Sequence, residues 1–221
     1  MGSVVRAVER VFGCTGDAAA EVAAAAQLRA WPARAPILHL GDATDDSFIL
    51  VSGGARAVAF GQGGQATMIA TYRSGDLFGA LPGEGAVEME SEIVAETAVE
   101  CLCFRATDLL ALAEARAAVG HRLTRALVAR LATMSRRMVA QVTLTASGRV
   151  HQELLRLAVD TDGGAQIVSP APVLTELAAR LSTTRETVSR TVSALERRGI
   201  VRREPGQLVI AAPGRLREMV V

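Results

Sequence analysis

The chain has 221 residues, half of them hydrophobic, with 24 basic side chains against 23 acidic and a formal net charge of +1. That is enough for two modest domains with their own cores, so a globular protein is expected. No apolar run approaches a membrane span, Glu9, Asp17 and Glu21 interrupt any signal-like N-terminus, and Cys14, Cys101 and Cys103 make no metal or disulfide framework; a cytoplasmic protein with no membrane partner is predicted.

Residues 4–30 mix small apolar and charged positions and predict one or two Ala-rich helices. From Pro36 the period changes to two. Strands are predicted at 37–40, 47–51, 55–60, 67–72, 76–81, 91–95 and 99–104, with turns at Gly41-Asp42, Gly53-Gly54 and Gly61 to Gly64. Short strands at this spacing predict a small β-barrel or jelly roll. Cys101 and Cys103 fall on one face of the last strand as buried hydrophobes. Arg56, Arg73, Glu88, Glu90, Glu92 and Arg105 read as solvated strand or turn residues, and His39, His121 and His151 are too scattered for a metal or haem site.

Asp108 begins a helix, and residues 116–145 predict one long helix. Val119, Leu123, Leu127, Leu131, Met134, Met138 and Val142 recur along it at steps of three or four, with the arginines largely off that line. The seam suits a homodimeric helix pair, with Leu123, Leu127, Leu131, Met134 and Met138 at the interface; the alternative is a helix packed only on its own domain. Thr145 to Gly148 breaks the helix and supplies a hinge near Ala146 to Gly148, and a second helix starts at Arg149. Residues 160–172 read as a loop or short hairpin.

Residues 173–203, VLTELAARLSTTRETVSRTVSALERRGIVRR, carry two short helices and a tight turn. Leu174, Leu177, Ala178 and Leu181 form one apolar stripe and Val188, Val192 and Leu195 another, with Thr184 placed to cap the second helix. Arginine forks match the guanine O6 and N7 acceptors, and a carboxylate accepts from the cytosine N4 amino group. Arg185, Glu186 and Arg190 on the exposed first turns are therefore predicted base readers, with Ser189 among the hydroxyls suited to phosphate. Two strands around Pro205-Gly206 predict a wing, and a short basic helix ends the chain. Residues 1–104 hold 6 Arg against 13 acidic residues and residues 169–221 hold 9 against 5, as expected if the C-terminal part approaches phosphates. A plain helical hairpin is the rival reading.

RETVSRTVSALERRGIV resembles the recognition helix of the cyclic-AMP receptor protein/FNR (CRP/FNR) group of bacterial transcription regulators, and the resemblance runs from about Pro36 to Ile210. It implies TGTGA-type half-sites read by Arg185, Glu186 and Arg190, phosphates held by Thr184 and Thr187, and RNA polymerase as a further partner. GDATDDSFILVSGGARAVAF, SGDLFGALPG and VAETAVECLCF are similar to the family's cyclic-nucleotide-binding β-roll. Gly79 stands at its turn. Ala80 occupies the position where cyclic-AMP binders place a ribose-binding Glu, and Met89 and Glu90 occupy those of the phosphate-binding Arg-Ser pair. Of the two long-helix residues that reach the nucleotide, Met134 and Ser135 match, so one hydroxyl survives. Losing a charge-assisted phosphate bond removes about 1.5–3 kcal/mol, and an added carboxylate costs a comparable amount. Roughly two to four decades of affinity follow. Cyclic AMP is not expected to bind in the usual way, and no cofactor is expected.

The predicted fold is α+β: an N-terminal cyclic-nucleotide-binding-type β-roll with its helices (1–115), a dimerisation helix (116–145) and a winged helix-turn-helix (146–221). The predicted function is a dimeric regulator on a palindromic site of double-stranded DNA, competent without a ligand or responding to another one such as cyclic di-GMP. A DNA-processing enzyme is disfavoured because no Ser/His/Asp or metal constellation is visible and the single tyrosine, Tyr72, lies in a strand. A protein-interaction module would lack the steep salt dependence of DNA binding.

Overall fold

The computed structural model describes residues 2–61, 66–83, 85–161 and 164–220. Apart from Gly61, the predicted Gly61 to Gly64 turn lies outside them, as does Gly163. The elements run α1 (Gly2–Phe12), α2 (Gly16–Ala24), β1 (Gln27–Trp31), β2 (Pro36–Leu38), β3 (Ala43–Thr44), β4 (Asp46–Ser52), β5 (Ala55–Phe60), β6 (Ala66–Tyr72), β7 (Leu77–Gly79), β8 (Val87–Glu88), β9 (Glu92–Ala95) and β10 (Val99–Arg105). They continue with α3 (Ala106–Ala115), α4 (Ala117–Thr143), α5 (Ala146–Leu157), β11 (Val159–Asp160), β12 (Gln166–Val168), α6 (Leu174–Arg180), α7 (Arg185–Arg197), β13 (Val201–Glu204), β14 (Gln207–Ile210) and α8 (Pro213–Glu218). The chain divides into two compact units, Met1–Ala132 and Thr133–Val221, with α4 starting in the first and ending in the second.

In the first unit one sheet has the order β1-β10-β4-β7, a second β2-β9-β5-β6, and β3 pairs with β8; all pairings are antiparallel. β4 is buried on both faces, which is why Ser47 to Val51 shows no polar alternation. Phe48 and Leu50 face a core shared with Ile37, Ala57, Ile93 and Tyr72. Ile49 and Val51 face a second core, roofed by Val8 and Phe12 of α1, Val22 of α2, Leu109 of α3 and Val119 and Leu123 of α4. Cys101 and Cys103 both lie in the inner core, where burial pushes each thiol up to about 12, so neither is a thiolate at neutral pH.

Three expectations are corrected here. Residues 27–31 form a strand, not the end of a helix, because β1 pairs along its length with β10 and tertiary pairing overrides the Ala-rich propensity. The break after the long helix lies at Leu144-Thr145, and Ala146 to Gly148 already belong to α5, because the Thr145 hydroxyl accepts from the Gly148 N–H at 3.0 Å and caps the helix there. Leu123 is 5% exposed and sealed into its own unit, so it is not on the open face of α4.

In the second unit the sheet β11-β12-β14-β13 packs with α5, α6, α7 and α8 around Leu154, Leu177, Val188, Val192, Leu195, Ile200 and Leu216. The β13–β14 hairpin is the predicted wing, turning at Pro205-Gly206.

Candidate nucleic-acid interface and ligand pocket

The interface is built on the apolar stripes of α6 and α7. Leu177 and Ala178 of α6 pack against Val188, Val192 and Leu195 of α7, which leaves the opposite face of α7 outward. The turn between the helices takes Ser182 to φ 50°, in the left-handed region, and the Thr183 N–H donates to the Ala178 carbonyl at 3.0 Å. Thr184 caps α7 as expected, its hydroxyl accepting from the Thr187 N–H at 3.1 Å, and the two threonine hydroxyls lie 2.9 Å apart. Arg185, Glu186 and Arg190 are all exposed on the first two turns, and Thr187 and Ser189 are half-buried beside them. Glu186 and Arg190, one turn apart, form a 3.7 Å ion pair with side chains 76% and 71% exposed. At that exposure the pair adds little stability, but it places a carboxylate and a guanidinium together on the outward face.

The predicted pocket residues behave differently. Gly79 sits at φ 82° where a Cβ would press on the Asp46 carbonyl and the Phe48 ring, so only glycine fits that turn. Ala80 is fully buried, its N–H donating to the Asp46 carbonyl at 3.0 Å and its own carbonyl accepting from the Ser47 hydroxyl at 2.6 Å. The Met89 thioether packs against the inner core, and Glu90 is exposed. Met134 and Ser135 are exposed on α4 within the second unit. From Leu127 onward α4 keeps its apolar line uncovered: Leu127, Leu131, Met134, Met138 and Val142 are all exposed, Leu131 to 69%.

Two protein-family descriptions match this arrangement, the cyclic nucleotide-binding domain over residues 28–116 and the Crp-like helix-turn-helix domain over residues 148–219. The chain is 31% identical over 193 residues to the cyclic AMP receptor protein of Thermus thermophilus, covering 87% of this chain and 88% of that protein. The chain belongs to the CRP/FNR family. Among solved structures, a CRP/FNR transcriptional regulator from Thermus thermophilus is similar over 88% of this chain and 98% of its own, with 25% identity and a TM-score of 0.65. FixK2 of Bradyrhizobium japonicum shares the fold over 89% of this chain and 98% of its own, at 21% identity and a TM-score of 0.68.

As a CRP/FNR-type transcription regulator it carries a helix-turn-helix DNA-binding domain at its C-terminus, joined by the long helix α4 to a cyclic-nucleotide-binding-type β-roll. No helix among the described residues is long and apolar enough to cross a membrane. Sequence reasoning missed the polar braces of the regulator's DNA-binding unit. Arg149 donates through Nε to the Leu181 carbonyl at 3.2 Å and through Nη1 to the Leu144 carbonyl at 3.1 Å, tying the end of the long helix to the turn before α7. Gln141 adds a 3.3 Å hydrogen bond to the Ser182 hydroxyl. The contacts to Leu181 and Ser182 span 32 and 41 residues, beyond any local pattern, and only Arg149, a cation near the start of α5, left any signal.

Glu153 was also missed. Its carboxylate is buried, accepts two hydrogen bonds from Arg156 at 2.6 and 2.7 Å, and accepts a third from Arg180 at 3.1 Å. Burial raises its pKa, yet the two guanidiniums outweigh burial and the net effect holds the carboxyl below its ordinary value. A depressed carboxylate pKa contributes stability that is present above the unfolded value and lost as pH falls through the folded one. The DNA-binding unit is therefore expected to lose stability on acidification below the ordinary Glu value. Glu153→Ala should cost about 3 kcal/mol at neutral pH, by leaving the Arg180 guanidinium unpaired, and flatten that acid limb. Chemical denaturation between pH 7 and pH 3 measures both; an unchanged acid limb in the variant would exclude this role.

Proposed function

We propose that this regulator binds DNA as a homodimer, on a palindrome of two TGTGA-like half-sites one helical turn apart, and that it does so without cyclic AMP. Arg185, Glu186 and Arg190 read base edges, and Thr184, Thr187 and Ser189 hold the flanking phosphates. The observation that carries the DNA-reading part is the exposed Glu186–Arg190 pair beside Arg185 at the capped start of α7. Support for ligand independence comes from the phosphate position. A half-buried thioether at Met89 and an exposed carboxylate at Glu90 offer a cyclic phosphate no cation and one repulsive charge. Dimerisation through α4 is supported by the uncovered line from Leu127 to Val142. RNA polymerase is the further partner expected of such a regulator, and the cytoplasm its expected place.

Fluorescence anisotropy with a TGTGA palindrome tests the reading, using protein alone and protein with cyclic AMP or cyclic di-GMP. Tight binding that random DNA does not match and neither nucleotide changes is the expected result. Binding that appears only with a nucleotide would replace ligand independence with control by that nucleotide.

A further inference from the structure

The β-roll contains a contact that couples its interior to α4. Tyr72, at the end of β6, is buried, and its ring packs 4.9 Å from Phe78, which stacks at 5.3 Å on Phe48, which meets Trp31 edge-on at 6.3 Å. The open face of this chain of rings is closed by Arg130 of α4. Its guanidinium carbon lies 4.9 Å from the centre of the Tyr72 ring, and Nη2 donates to the Tyr72 hydroxyl at 3.1 Å. Eight residues earlier on the same helix, the Arg122 guanidinium lies over Gly75, where any Cβ would collide with it and where φ is 88°. Two arginines of α4 thus grip the single segment 72–75. Through the Tyr72–Phe78 ring contact the grip adjoins β7, whose last residue is Gly79 at the predicted turn.

We infer that Arg130 is a positioning residue: by sitting on Tyr72 it latches α4 to the β-roll with the protein's own cation, in place of a bound effector. The inference rests on the reading that no nucleotide is needed, and explains how α4 is held without one. A cation over an aromatic face that also donates to the ring's hydroxyl is bound twice by the same side chain, and partial burial strengthens both contacts. Leu127 and Leu131, which begin the uncovered apolar line, flank Arg130 on the same stretch of α4 within the first unit, so fixing Arg130 on Tyr72 also fixes the start of that line.

The full-length chain tests this with Arg130→Gln, Arg130→Lys and Tyr72→Phe. Hydrogen exchange across residues 119–130 reads the latch, and Trp31, the single tryptophan, reports the ring cluster by its emission. Arg130→Gln is expected to speed exchange there about tenfold and to weaken ligand-free binding to the palindrome by a similar factor, with random-DNA binding unchanged. Tyr72→Phe, which keeps the ring, and Arg130→Lys, which keeps a cation, should each recover part of both. Exchange in Arg130→Gln equal to that of the unmodified chain would overturn the latch, and so would faster exchange with palindrome affinity unchanged. If the unmodified chain binds the palindrome only with cyclic AMP or cyclic di-GMP, the ligand-independent reading fails; the exchange measurement still decides whether Arg130 holds α4.

Discussion

Leu131→Glu is expected to convert the regulator from a dimer to a monomer and to abolish binding to the palindrome at concentrations where the unmodified chain is saturated. Leu131 is 69% exposed on the apolar line that runs from Leu127 to Val142. In the proposed two-fold dimer each substitution would enter the interface twice. Taking a carboxylate out of water without a partner costs about 3 kcal/mol or more per copy, so two copies weaken association by roughly four decades. Because Leu131 belongs to none of the three packed cores, melting of each unit should be unaffected. Leu123→Glu makes the contrast: that residue lies inside the first unit's core, and the same change there should unfold the unit itself. Sedimentation velocity on Leu131→Glu decides the first point, and an unchanged sedimentation coefficient would show that α4 does not form the interface.

Arg190→Ala should remove sequence discrimination more than affinity for DNA in general. Its fork can pair with both major-groove acceptors of one guanine, an interaction of about 1–3 kcal/mol against a wrong base, so specific binding should fall roughly 10- to 100-fold. Random DNA feels mainly the loss of one positive charge, a small and salt-dependent effect. Arg190→Lys should recover the second effect and not the first, because an ammonium keeps the charge and lacks the planar fork. Removing the guanidinium also deprives Glu186 of its 3.7 Å partner, so Glu186→Ala and the double variant should be non-additive. Anisotropy titrations on palindromic and random duplexes at two salt concentrations give all these numbers. Equal losses on both duplexes would mean that Arg190 contacts phosphate and not base.

The features legible in the residue order were those fixed by near neighbours. The stripes of α6 and α7, the Thr184 cap and the wing turn each depend on residues within a few positions, where helical or strand periodicity acts directly. Most β-roll strands were legible as short apolar runs between Gly-rich turns, although β4 and β10 carry little polar alternation, and the family motifs showed which positions had changed, Ala80, Met89 and Glu90 among them. What no local pattern carries is which parts of one continuous stripe meet another element. Val119, Leu123, Leu127 and Leu131 follow one another at identical spacing, yet the first two are sealed under α1 and α2 while the last two face outward. Residues 27–31 became a strand because β10 lay open beside them, more than sixty residues away in sequence. Arg130 and Tyr72 stand 58 residues apart, Arg149 and Leu181 stand 32, and no period relates either pair. Periodicity assigns a face to each element, whereas the neighbour of that face is set by packing the whole chain, and there the tertiary structure alone decided.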